Sequence, residues 1–130
     1  MTISTSQVAT EDDVAEELGG AGVLDNLVSE TFTIERVLEL SLADVLYELA
    51  NRTPPVAESD ITTPSQLKRA VVECAIARLF CNGITTPDGL HATKHKIYRK
   101  RYESTVESLR PTVAGGYATA APFGIALHRR

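Results

Sequence analysis

Three histidines, two cysteines and a dense run of cations are the residues of this chain with chemistry to offer. His91 and His95 stand four apart, one helical turn, a spacing that can chelate zinc. No glutamate sits between them, no third Cys or acidic ligand lies nearby, and Lys94 and Lys96 would repel a cation. His128 stands alone. The pattern reads as a solvated basic helix face rather than a metal site. Cys74 and Cys81 are seven residues apart, about 10 Å along one helix, which is beyond the reach of a disulfide. They read as small buried hydrophobes in a reducing compartment. The glycine pairs at 19–20 and 115–116 follow no strand and carry no Gly-Lys-Ser/Thr, so they are not phosphate loops. Nothing resembles a nucleophile with its base. The expectation is a protein that is not an enzyme and holds no cofactor.

The cations are a different matter. Between His91 and Arg101 the chain places Lys94, Lys96, Arg99, Lys100 and Arg101, with Tyr98 interleaved and Tyr102 following. Such a run can touch phosphate. One reading is therefore a small helical regulatory or nucleic-acid-binding protein that uses residues 91–101. Against it, the tyrosines fit an inward stripe better, and the chain as a whole is acidic, net −4. The interval before this helix, nearly ten residues, is also too long for a helix-turn-helix.

The elements that must position these residues are helices. The stretch TPSQLKRAVVECAIARLFCN, residues 63–82, is apolar on most sides, as a helix packed among several neighbours must be. Thr63 as cap, Pro64 at the first position and Gln66 reaching back would start it. Gly83, through positive φ, would end it. Its charges Lys68, Arg69, Glu73 and Arg78 leave a narrow solvated strip. Residues 34–51 repeat apolar side chains every three or four positions, from Ile34 to Leu49, with Thr33 as cap. Glu35, Glu39, Asp44 and Glu48 make the other face acidic. The RTPP segment, Arg52 to Pro55, stops it. A long helix over about 90–109 carries Tyr98, Tyr102, Thr105, Val106 and Leu109 on one face, flanked by Ile97, and Pro111 ends it. Its cations crowd the N-terminal half, against the helix dipole, which invites an external explanation. A short acidic helix over 11–18 begins at Thr10 and ends at Gly19 and Gly20. Residues 23–32 fit a helical turn or a short extended segment equally.

At 130 residues and 43% hydrophobic, the chain is one domain's worth and too apolar to be disordered throughout. The expected fold is all-α: a small bundle around a central buried helix. Residues 1–10 would be a flexible N-terminus, 11–111 the bundle, and 112–130 an extended C-terminal arm. No apolar run approaches the ~18 residues of a membrane span, and the opening residues lack a basic, apolar leader. That predicts a protein made and kept in a cytoplasm, with no membrane partner. Charge is divided along the chain. Residues 1–60 hold 13 acidic and 2 basic side chains, and residues 61–130 hold 4 and 11. Opposed halves either neutralise each other within one molecule or pair copies head to tail.

The order of a short acidic helix, a helix ending at RTPP, TPSQLKRAVVECAIARLF and then YRKRYESTVESLRPTVAGG resembles the head-to-tail adaptor (connector) proteins of tailed bacteriophages. The likeness covers about residues 34–116 and rests on helix pattern and spacing. It implies a non-enzymatic virion protein of the neck, usually a dodecameric ring. Such a ring docks below the portal protein, continues the channel through which DNA passes, and offers a platform to the next neck or tail component. Stopper and tail-completion proteins of the same neck are more often β-rich, and this chain lacks convincing alternating strands. Inter-subunit charge contacts are expected from Glu39 and Asp44 to Lys96, Arg99 and Lys100. The arm is too apolar for an idle end. Tyr117, Phe123, Ile125 and Leu127, with Arg129 and Arg130, are expected to dock on the portal or a neighbouring subunit, Phe123, Ile125 and Leu127 alternating as an added strand would.

Overall fold

The computed structural model describes residues 3–83 and 89–113, and the backbone of 116–117. Among these residues, five α-helices form an all-α bundle with one small hairpin at its end. The first helix, α1 (Glu11–Leu18), begins where the sequence predicts. Thr10 and Asp13 form a reciprocal capping box, the Thr10 N–H donating to Asp13 Oδ2 at 2.8 Å. Gly19, at φ 98°, closes it in the left-handed region that glycine tolerates. The ambiguous stretch resolves at its start into a helical turn, α2 (Ala21–Asp25), which buries Leu24.

The next helix, α3 (Ile34–Asn51), has the predicted bounds and the predicted cap, Thr33 Oγ1 accepting from the Arg36 N–H at 3.3 Å. Its inward residues are the periodic ones: Ile34, Val37, Leu38, Leu42, Val45 and Leu49 are all buried. Ser41 joins them by donating its hydroxyl to the Val37 carbonyl, so that its buried oxygen is not left unpaired. Within RTPP, Arg52 Nη1 donates to the Leu109 carbonyl at 2.6 Å. The segment that stops α3 thus also ties down the far end of the bundle.

The organising helix is α4 (Lys68–Asn82), and it is central as expected. Val71, Cys74, Ala75, Ile76, Ala77 and Leu79 are at most 2% exposed. Each large apolar side chain so enclosed contributes about 1.5–3 kcal/mol of transfer free energy. The start differs from the expected one. Residues Pro64–Leu67 form a separate 3₁₀ turn, and Thr63 makes no side-chain cap bond. Gln66 does not reach back. Its Oε1 accepts the Thr112 N–H at 2.6 Å instead. The end differs too. Gly83 has φ −90°, outside the left-handed region. A glycine stands there because a Cβ would meet His91 Nδ1 at 2.3 Å.

The last helix is α5 (Leu90–Ser108), which packs extensively on α4. Tyr98, Tyr102 and Val106 face the core, as their spacing predicts. Helices α3 and α5 both lean on α4 and touch each other over a short stretch only. Pro111 is fully buried just beyond α5.

Both ends of the bundle are more built than the sequence suggested. The expected flexible N-terminus contributes Ile3, Val8 and Ala9 to the core, and the Ile3 N–H donates to Glu58 Oε2 at 2.6 Å. Apolar residues at positions 3, 8 and 9 find room beside α3, which the polar composition of the segment concealed. The boundary at 111/112 also shifts. Strands β1 (Thr112–Val113) and β2 (Gly116–Tyr117) pair antiparallel, and Val113 bridges Ile61. The Thr62 N–H donates to the Thr112 carbonyl at 2.9 Å. The root of the expected arm is therefore fastened to the loop before α4.

Candidate functional site

His91 and His95 do structural work, and His128 lies outside the described residues. His91 Nδ1 lies 2.8 Å from the Gly83 carbonyl, and His95 Nδ1 lies 2.9 Å from the Ala77 carbonyl. A carbonyl only accepts, so each Nδ1 carries the proton. Both rings are half-buried against α4 rather than solvated, as their spacing had suggested. The tilted contact of Phe80 with His91 packs the same junction. Among the described residues no three potential ligands cluster around a metal position.

The two cysteines separate. Cys74 is buried and Cys81 is exposed, contrary to the expectation that both are enclosed: Cys81 stands in the last turn of α4, beside the equally exposed Asn82. Burial raises the Cys74 thiol pKa, so the group stays a neutral thiol, and its Sγ donates to Asp44 Oδ2 at 3.6 Å. Asp44 also binds Arg78. The aspartate expected to face another subunit is thus held within its own, linking α3 to α4. Burial also raises the Tyr102 hydroxyl pKa. A second polar seam was missed altogether. Glu73, read as part of a solvated strip, is 6% exposed. It accepts from the Thr105 hydroxyl of α5 and pairs with Arg69 at 3.4 Å. Glu73 lies among apolar positions of α4, and that placement was the available signal.

Charge from the two halves of the chain meets internally at two places. Lys68 Nζ reaches Asp13 Oδ1 at 2.9 Å, and Arg78 reaches Asp44. The Lys68 hydrogen bond is the largest influence on Asp13 and holds its carboxyl below the ordinary value. The remaining ion pairs among the described residues are local ones: Arg36 with Glu39, Arg69 with Glu73, and Arg99 with Glu103 at 3.3 Å. Arg99 also lies over the Tyr102 ring, and Arg101 over Tyr98.

Two helix faces keep their charge on the outside. On α5, Lys94, Lys96 and Lys100 are exposed and make no ion pair among the described residues. On α3, Glu35, Glu39 and Glu48 are exposed. Four of the five residues expected at subunit contacts, Glu39, Lys96, Arg99 and Lys100, therefore lie at the surface, and Asp44 is half-buried. The expected docking residues of the arm, Phe123, Ile125, Leu127, Arg129, Arg130 and the side chain of Tyr117, lie outside the described residues. A groove of about 660 Å³ among the described residues has mixed charge, with Asp13, Glu16, Glu17, Lys68, Arg69 and Arg101 on its walls. No described helix is long and apolar enough to cross a membrane.

These features define the class: a small all-α bundle with one acidic and one basic outer helix face. In comparisons with known protein families, curated proteins and solved structures, nothing matches the chain.

Proposed function

We propose that this protein is a structural connector of a tailed bacteriophage. In this reading it forms a ring below the portal protein, continues the DNA channel and joins head to tail, without catalysis or cofactor. The observation that carries the reading is the pair of outer helix faces. Helix α3 presents carboxylates and α5 presents ammonium groups, on separate helices that both rest on α4. Copies of such a subunit meet side by side with opposite charges facing, and a head-to-tail contact of this kind closes into a ring when its rotation permits. The helices that carry the resemblance to adaptor proteins are α3, α4 and α5, which together form most of the bundle.

The test is incubation of the purified protein with purified DNA-filled heads, followed by sedimentation and negative-stain imaging. The expected result is co-sedimentation, with an added ring at the portal vertex. Protein that stays in the supernatant at every concentration would overturn the assignment. The exposed lysines of α5 favour one competing reading, a nucleic-acid-binding protein. It predicts tight, salt-sensitive binding to free duplex and none to heads.

A further inference from the structure

The four large apolar side chains exposed among the described residues are Val23, Tyr47, Leu90 and Ile97. Three of them stand on the two charged helix faces. Tyr47 is 67% exposed on α3, while Leu90 and Ile97 are 69% and 41% exposed on α5. Their surroundings match. On α3, Ala43 and Tyr47 continue the half-buried Leu40 at helical spacing, giving an apolar ridge with Glu39 on one side and Glu48 on the other. On α5, Leu90 and Ile97 lie seven residues apart on one stripe, with Lys94 on one side and Lys100 on the other. One face is an apolar ridge edged by acids, and the other is an apolar ridge edged by bases.

We infer that these two faces are the halves of one heterologous interface, α3 of each subunit packing through Tyr47 against Leu90 and Ile97 of α5 in a second copy. The inference rests on the ring reading above and names its contact surface. Three arguments on the molecule support it. An exposed tyrosine supplies a large, rigid contact at little entropic cost, which is why such residues anchor interfaces. The carboxylates would come to the N-terminal half of α5, where the unpaired lysines and the positive end of the helix dipole coincide and where α5 has no acidic residue in its first turn. Finally, nucleic acid would use the lysines but leave Leu90 and Ile97 without a partner, and would not engage Tyr47.

Because the faces differ, the interface can be broken from either side. Tyr47→Arg spoils the α3 face and leaves α5 intact, while Ile97→Glu does the reverse. Both sites are exposed, and circular dichroism with thermal melting checks that each variant keeps the wild-type fold. Sedimentation equilibrium up to about 1 mM protein registers contacts as weak as a millimolar Kd. The expected result is that wild type grows beyond a dimer as concentration rises, with weaker growth in high salt. Each variant alone loses roughly 10-fold or more in association constant. An equimolar mixture of the two regains association, since the intact α5 face of one meets the intact α3 face of the other.

Wild-type association with both variants unaffected would overturn the interface while leaving the ring reading intact. So would a wild type that stays monomeric at 1 mM yet forms rings on heads. Failure on heads by a wild type that does self-associate through these faces would instead remove the connector assignment alone. A monomer that binds a 20-base-pair duplex, with binding lost in Lys94→Glu and Lys100→Glu, would assign the basic face to nucleic acid and overturn the inference.

Discussion

Gly83 is the residue at which two neighbouring elements come closest. Its φ of −90° suits any amino acid, so backbone freedom does not require glycine there. The His91 ring does, since an added Cβ would lie 2.3 Å from Nδ1. Gly83→Ala must therefore displace the ring, and with it the hydrogen bond to the Gly83 carbonyl. The expected cost is about 1–3 kcal/mol, as for other overpacked sites, measured by urea unfolding. Removing the ring by His91→Ala should make the alanine at 83 nearly harmless, so the two changes combine non-additively. A variant with alanine at 83 and wild-type stability would show that the junction yields freely.

Helix α1 is held to the bundle at its first turn. Asp13 closes the capping box with Thr10 and also bonds Lys68 ahead of the core residues of α4. One carboxylate thus serves the helix start and the contact between elements. Its folded-state pKa is lowered, first by the Lys68 hydrogen bond. A lowered carboxylate pKa adds stability that is fully present above the unfolded value, about 3.9, and is lost as pH falls through the lower folded value. Asp13→Asn should consequently reduce stability at neutral pH and flatten the decline in acid. Melting curves from pH 7 to pH 2 measure both effects. Equal acid sensitivity in wild type and variant would assign the acid response to other carboxylates.

At the scale of the whole molecule, the chain ends its bundle later than the helices do. Thr112 is held by its carbonyl to the Thr62 N–H and by its N–H to Gln66, and Val113 bridges Ile61. These bonds connect the exit from α5 to the entry of α4. A chain cut after Pro111 should lose about 1–4.5 kcal/mol, from two or three hydrogen bonds at about 0.5–1.5 kcal/mol each. A chain cut after Tyr117 should melt like the full protein. In the connector reading it should nonetheless fail to co-sediment with heads, because the proposed docking residues from Phe123 to Arg130 are gone. Full-strength co-sedimentation of that shorter chain would remove the arm from the mechanism of attachment.

The helices were legible because their information is local. Thr10, Thr33 and the three-and-four spacing of Ile34 to Leu49 act within a few residues, so α1 and α3 could be bounded from the chain alone. The central place of α4 was legible as well, since a helix apolar on most sides needs neighbours all round. What the sequence could not hold was the partner of each polar group. Gln66 could cap its own helix or bind Thr112, and Asp44 could face another subunit or Arg78. His91 could face water or the Gly83 carbonyl, and Ile3 could drift or enter the core. Each choice depends on which side chain the packed helices bring within about 3 Å, over separations of up to 55 residues for the Ile3 bond to Glu58. By itself the sequence determined the helices, the buried faces and the division of charge. The tertiary structure decided which charges pair between helices of one molecule, Asp13 and Asp44 with Lys68 and Arg78, and which are left without such a partner among the described residues, as Lys94, Lys96 and Lys100 are. The physical reason is that hydrogen bonds and ion pairs need contact geometry, whereas helical periodicity needs only neighbours along the chain.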